Sequence, residues 1–396
     1  MAFISAFQAE DRGSIPLTRS RSAANSGAFF KFMKYLFFVQ SEGRGHLSQA
    51  LAVAAGLRHH GHEICGVVTN YLPTRPIPEY FIKEIDAPLY SVDSPYFLIT
   101  KDQKGIAFGR SLVFNFSRLR AYWRSLKKIK NLIKTLEPDI VINFYESLFG
   151  FYRLLFRPPV KSFTIGHQFF ITNPDFIRPP KNHYSFLLLK LYNWLVSYGS
   201  TAKIALSFSD SPDQPQKKLL VCPPLIRQSI LDQKIKTDNF ILSYILNPGY
   251  AEIITDFATK NKEIRIEAFW DKLEAAPKEQ PLENLCFHKI NGDLFIDRLS
   301  KCGAYIATAG FESICEAAYL EKPILMIPTP NHYEQQCNAY DAKRCGLAEF
   351  SAEFDFDKLL ALTKTQVSEP GQCFKKWHDE NKDKIFTILE NRWYQK

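Results

Sequence analysis

No stretch of this chain reaches the ~18 uninterrupted apolar residues that a membrane span needs. The most apolar run, residues 186–196, is broken by Lys190 and Asn193. An integral helical membrane protein is therefore excluded, while a surface-bound one stays open. Nor is there a Cys-x-x-Cys pair, since the eight cysteines are scattered along the chain. That disfavours zinc knuckles and thioredoxin-like redox motifs, and leaves small buried hydrophobes of a reducing cytoplasm. No solenoid-period repeat is visible. No apolar segment of signal-peptide length opens the chain either. Residues 1–32 instead mix Ser14, Ser20 and Ser22 with Arg12, Arg19 and Arg21. They read as a disordered extension, because Met33-Lys34 directly precedes a strong strand.

What is present is an ordinary globular composition, 46% hydrophobic and 23% charged, over 396 residues, enough for two domains. From Lys34 onward short apolar runs alternate with helical periodicity, which predicts an α/β fold with parallel sheets. Strands are expected at 35–39, 64–69, 140–144, 161–166 and 204–208, with a long amphipathic helix over 119–136. Around Cys222-Pro223-Pro224 the texture turns polar, a plausible interdomain connection. A second series follows, with strands at 240–246, 264–269, 285–288, 304–307 and 324–327. The expected organisation is an N-terminal domain over 33–225, a C-terminal domain over 226–370 and closing helices over 371–396. Two doubly wound Rossmann-like domains would face a cleft at the carboxyl ends of their strands.

Two loops carry the chemistry. Ser41-Glu42-Gly43-Arg44-Gly45-His46 joins the first strand to the first helix. Gly43 and Gly45 would permit a sharp turn and close backbone approach to a ligand. The third position of a dinucleotide fingerprint is Gln49, and the ending of a P-loop is missing. His46 at a helix N-terminus would be kept neutral by the macrodipole and able to accept a proton, with Glu42 fixing its tautomer. The second loop, Ala309-Gly310-Phe311-Glu312-Ser313-Ile314-Cys315-Glu316, opens a helix whose free N–H groups suit a pyrophosphate. Glu316 lies one turn on, where a carboxylate could accept from ribose hydroxyls. The next strand-loop-helix unit brings Glu334 and Gln335 to the same rim.

The run from Ala309-Gly310 through Glu316, then Lys322-Pro323-Ile324-Leu325-Met326-Ile327-Pro328, then Glu334-Gln335 through Asn338-Ala339 closely resembles the C-terminal half of GT-B glycosyltransferases. Among these it resembles the group of the peptidoglycan N-acetylglucosaminyltransferase and the galactolipid synthases (glycosyltransferase family 28 C-terminal type). Gly43-Arg44-Gly45-His46 resembles their N-terminal loop, and Pro138-Asp139-Ile140-Val141-Ile142 and Ile165-Gly166-His167-Gln168 match further strand ends. The resemblance implies a nucleotide sugar, a UDP-sugar above all, as donor and co-substrate, and no separate cofactor. It implies Glu316 on the ribose, Gly310 at the diphosphate, Glu334 and Gln335 on the donor sugar, and Phe311 and Ser313 also at the nucleotide-sugar site. Gly43 and Gly45 would also line the donor site. His46 would be the general base, and His167 would orient the acceptor or share that role. Inversion at the anomeric carbon is implied as well. The chain departs from the pattern at Asn247-Pro248-Gly249-Tyr250, which is poor in glycine, and at Asn143, where related strands often end in Asp. There is no convincing Asp-x-Asp motif, so no metal is expected.

Charge is concentrated. Of a net +9, residues 116–136 hold seven positive charges and no negative one. Apolar Leu119, Trp123, Leu126, Ile129, Ile133 and Leu136 recur at helical spacing opposite most of them. A basic amphipathic helix can meet an anionic membrane surface, so a peripheral location on the inner face is expected, with a lipid-linked or cell-surface acceptor. Residues 176–196 read equally as an interfacial segment or a buried helix. Nucleic acid fits poorly, for want of a reading motif. The sequence therefore expects a glycosyltransferase, with a nucleotide-sugar epimerase and a non-catalytic, membrane-associated sugar-nucleotide binder as alternatives.

Overall fold

The computed structural model describes residues 32–390, except 71, 73–75, 99, 101–106, 181, 246, 247, 273 and 366–368. The expected disordered extension thus lies outside the described residues but for Phe32. The first sheet comprises β1 (Lys34–Val39), β2 (Glu63–Asn70), β3 (Leu89–Val92), β4 (Ile140–Phe144), β5 (Lys161–Ile165), β6 (Ala202–Leu206) and β7 (Leu219–Cys222). Their order is β3-β2-β1-β4-β5-β6-β7 and every pairing is parallel. The second holds β8 (Ile241–Ile245), β9 (Ile266–Trp270), β10 (Lys278–Leu282), β11 (Leu285–Lys289), β12 (Ala304–Thr308), β13 (Ile324–Ile327) and β14 (Glu349–Phe350). It runs β10-β11-β9-β8-β12-β13-β14, with only the edge pair β10–β11 antiparallel.

Helices cover both faces, so the central strands are apolar on both sides. Phe37, Phe38, Phe144 and Phe163 are fully buried in the first sheet, as are Tyr305 and Phe269 in the second. Each such side chain contributes about 1.5–3 kcal/mol by leaving water. In each sheet the strand order reverses once, between β1 and β4 and between β8 and β12. Those two switch points leave crevices at the carboxyl ends of the strands, where open α/β sheets bind ligands.

The helix expected over residues 119–136 is found as Leu119–Leu136, and a further helix, Phe108–Ser117, precedes it with Arg118 between them. His183–Val196 is a surface helix rather than a buried one: only Asn193 and Val196 are buried on it. The closing helices, Glu369–Asn381 and Lys384–Leu389, return to the N-terminal domain. There Trp377 Nε1 donates to the Ser207 carbonyl at 3.2 Å, and Tyr35 donates its hydroxyl to the Leu389 carbonyl at 3.3 Å. Phe386 packs against the Cα of Gly56, where any side chain would collide with it.

Candidate active site

A cleft of about 1220 Å³ opens between the two switch points. Its floor begins at the helix Arg44–His59, whose N-cap Gly43 supplies no side-chain cap. His46 sits in the first turn, and its Nδ1 meets Gln49 Oε1 at 3.0 Å, one helical turn away. Gln49 Nε2 donates in turn to Glu312 Oε1, 2.5 Å away on the other domain. With the amide so oriented, its oxygen faces His46, Nδ1 must carry the proton, and Nε2 keeps a lone pair. Among the described residues Nε2 has no hydrogen-bond partner, and the ring lines the cleft. Burial lowers the His46 pKa, against the opposing pull of Gln49 and of Glu334.

Gln49 therefore does what was expected of Glu42. The Glu42 carboxylate instead accepts from Gln40 Nε2 at 3.5 Å and from the Phe97 N–H at 3.3 Å. The wall behind His46 is Tyr145, stacked on it at 5.6 Å. Tyr145 follows β4 with φ of 62°, a left-handed conformation that costs a non-glycine residue about a kcal/mol or more. Its hydroxyl is tied to Asn193. Asn143 explains its own departure from Asp. Its amide donates to the carbonyls of Glu146 and Val196, both at 3.1 Å, while its oxygen accepts from the Glu146 N–H at 2.8 Å. A carboxylate could not make the first two bonds and would be buried against two carbonyl oxygens.

Gly43, Gly45 and Gly310 all line the cleft, in different surroundings. Gly43 is extended, and a Cβ there would meet nothing within 4 Å. At Gly45 a Cβ would lie 2.9 Å from Glu312 Cγ, so this glycine admits the opposite domain. Gly310 donates its N–H to the Thr308 carbonyl at 2.7 Å and is not itself available to an anion. The groups that remain are the first-turn N–H groups of the helix Glu312–Tyr319, which has no side-chain cap. Ser313, in that turn, lines the cleft.

Glu316 is buried, and Arg227 takes both of its oxygens, at 2.7 and 3.0 Å. Burial alone would depress the guanidinium, but the Glu316 charge overrides it and raises its pKa. Glu334 accepts from Gln168 Nε2 at 2.9 Å across the cleft. Gln335 Oε1 accepts from the Thr329 N–H at 2.8 Å and fastens the loop before its own helix. His167 is committed on both sides. Nδ1 donates to the Leu206 carbonyl at 2.7 Å, Nε2 faces buried Asp341 at 3.7 Å, and Phe311 stacks on the ring at 4.0 Å. With both nitrogens so placed, the ring is poorly set to share the base role.

Arg44 adds a further bridge between the domains, to Asp271 at 3.0 and 3.1 Å. Sequence reasoning does not find Gln49, Glu312, Arg227, Gln168 or Asp341 as site residues. Only Gln49 and Glu312 stand beside or within the two chemistry-bearing loops. Arg227 lies in the supposed connection, with no motif to mark it.

The cleft is two-sided. Toward the C-terminal domain it is polar, with Arg227, Glu312, Ser313, Glu316 and Glu334. On the N-terminal domain it carries an apolar stretch, Leu112, Phe151, Leu154, Leu188, Leu191 and Trp194, beside the polar loop of Glu42, Arg44, His46 and Gln49. Among the described residues no three His, Cys, Asp or Glu side chains gather as metal ligands would. No described helix is long and apolar enough to cross a membrane.

Two parallel-sheet domains facing such a cleft define the GT-B class of glycosyltransferases. Residues 33–364 match the family described as "Glycosyl transferase family 1", and the chain belongs to it. This is a broader kinship than the narrow group resembled through residues 309–339. Among solved structures, the spinosyn rhamnosyltransferase SpnG is similar over 91% of this chain and 100% of its own, with TM-score 0.59 and 12% identity. The glycosyltransferase SnogD from Streptomyces nogalater is similar over 89% of this chain and 96% of its own, with TM-score 0.55 and 14% identity. CalG4, the calicheamicin glycosyltransferase, gives TM-score 0.57 and 14% identity over 87% of this chain and 94% of its own. At these identities the likeness is one of fold. No curated protein sequence matches the chain.

Proposed function

We propose that this glycosyltransferase moves a sugar from a nucleotide sugar to the hydroxyl of an acceptor with an extended apolar body. The observation that carries this is His46: its Nδ1 meets the Gln49 amide oxygen, which leaves Nε2 without a partner among the described residues, on a ring that lines the cleft. In the proposed step Nε2 takes the acceptor hydroxyl proton while that oxygen forms a bond to the anomeric carbon. The bond from that carbon to the diphosphate breaks, and the nucleoside diphosphate leaves with the electron pair, so the anomeric centre inverts. The N–H groups opening Glu312–Tyr319 meet the departing charge without help from a metal. Arg227 and Glu316 hold the ribose end, and Glu334 and Gln335 hold the sugar.

We propose UDP as the donor's nucleotide, in line with the narrower resemblance. The rhamnosyltransferase SpnG has been seen with thymidine diphosphate and with spinosyn aglycone, so thymidine diphosphate sugars belong in the same test. The apolar wall supports transfer over epimerisation, since an epimerase acting on the donor needs no apolar acceptor surface.

The acceptor side also supports a membrane-surface reading. Leu112, Val113 and Phe116, then Leu119 and Trp123, then Leu187, Leu191 and Trp194 are exposed on three surface helices. Leu112, Leu191 and Trp194 reach the mouth of the cleft. Arg120, Arg124, Lys127, Lys130 and Lys134 are exposed beside them, whereas Arg118 is paired with Asp93. Exposed apolar groups rimmed by cations fit an anionic bilayer surface.

The test is a panel of UDP- and TDP-sugars incubated with the protein and extracted lipids. A glycosylated lipid with release of nucleoside diphosphate is expected. An isomerised nucleotide sugar, or binding without turnover, would overturn the proposal.

A further inference from the structure

We infer that Gln49, on the same helix as His46, and Glu312, from across the cleft, are positioning residues that lock His46 in its base form, so that the base is complete only when the two domains close. The inference rests on the reading of His46 as the base and adds to it the two groups behind the ring.

Three observations from different parts of the chain converge. Gln49 stands one turn after His46, so its amide reaches Nδ1 within the same helix face, at 3.0 Å. Its other end reaches Glu312 of the C-terminal domain at 2.5 Å. Gly45, one residue before His46, leaves room for this approach, because a Cβ there would lie 2.9 Å from Glu312 Cγ. An amide can adopt two orientations that exchange its oxygen and nitrogen. Glu312 decides between them, since a carboxyl oxygen draws the NH₂ end and leaves the oxygen for His46. Without Glu312 the amide could turn, offer NH₂ to Nδ1 and move the ring proton to Nε2, where it blocks uptake of the acceptor proton.

The groups facing Glu312 are Gln49 and Gly45 from the N-terminal domain, Arg227 from the connection, and Glu316 on its own helix. Burial pushes the Glu312 carboxyl up to about 8; Gln49 and Arg227 pull it down and Glu316 adds to the rise. Near neutral pH it is thus largely protonated and still accepts from Gln49 through its carbonyl oxygen. As it ionises it also offers charge to the imidazolium that forms during transfer.

The test reads the imidazole directly. Protein labelled with ¹⁵N-histidine is followed by two-bond ¹H–¹⁵N correlation from pH 5 to 9.5, with the His46 signal assigned by its loss in His46→Ala. Wild type is expected to show the Nδ1–H tautomer, with a second inflection near pH 8. Glu312→Gln, which keeps shape and an acceptor oxygen, should erase that inflection. Gln49→Ala should shift the population toward Nε2–H and lower kcat/KM about tenfold, the worth of one hydrogen bond, with nucleoside diphosphate Kd unchanged. An unaltered tautomer in Gln49→Ala, or an inflection that survives Glu312→Gln, overturns the inference. If His46→Ala still transfers sugar while the signature behaves as stated, the contact stands and only the base assignment falls.

Discussion

Arg227 grips both carboxylate oxygens of Glu316, so the residue expected to meet a ribose already holds a cation. Glu316 is buried and Arg227 largely so, and breaking one partner leaves an uncompensated charge. Glu316→Ala and Arg227→Ala should each lower stability by about 3–5 kcal/mol, and the double variant should lose less than the sum. Urea denaturation of the three proteins checks this. Calorimetry should show weakened UDP binding in both single variants; unchanged affinity would remove the pair from the nucleotide site.

His46→Ala should abolish transfer while leaving UDP affinity nearly intact, because in the proposed step the ring takes the acceptor proton and does not hold the nucleotide. Burial lowers its pKa below the ordinary 6.5. A base must be neutral, so kcat/KM should stay flat as pH falls through 6.5 and drop only below it. An acid limb above 6.5 in the pH–rate profile would contradict the assignment.

The two loop glycines should behave oppositely. Gly45→Ala puts a methyl group against Glu312 and should cut activity strongly by holding the domains apart. Gly43→Ala meets empty space and an extended backbone. It should leave activity within about twofold and stability within about 0.5 kcal/mol, the ordinary reach of a surface substitution. Transfer assays on the two variants, paired with thermal melts, separate closure from folding.

Glu312 makes a stability prediction of definite sign. Unfolded, its carboxyl ionises near the ordinary 4.5; folded, it holds its proton to about 8. Between those values the folded state binds more protons, so this group's contribution falls as pH rises. Glu312→Gln removes that slope. The variant should therefore gain on wild type steadily from pH 5 to pH 8 in denaturant titrations, and a constant difference would count against a buried protonated carboxyl.

The exposed face should bind vesicles rich in anionic lipid. Arg124→Glu with Lys127→Glu should weaken co-sedimentation in a salt-sensitive way, whereas Leu187→Asp with Trp194→Asp should weaken it even at high salt, where charge is screened. Binding indifferent to all four changes would remove the membrane reading.

Much of the fold can be read from the chain. Runs such as β1 and β4 are apolar on both faces and sit between helical repeats, a pattern that admits little but buried parallel strands. The edge strands β3, β7, β10 and β14 escape such a reading: β3, β10 and β14 are short or half-exposed, and β7, although buried, is only four residues long. His46 is legible because a histidine after two glycines at a helix start is an uncommon local pattern. Gly310 through Glu316 is legible as a strand-to-helix turn, because a glycine follows a buried apolar strand and opens a helix. The sequence by itself thus determined two doubly wound domains, the loops that meet in the cleft and the charge of one helix. Only the tertiary structure decided the partners within that cleft. Gln49 rather than Glu42 holds His46, Arg227 holds Glu316, and Glu312 arrives from 263 residues away. The physical reason is that strands and helix starts are set by neighbours along the chain. A hydrogen bond across a domain cleft depends instead on how two independent sheets are brought face to face.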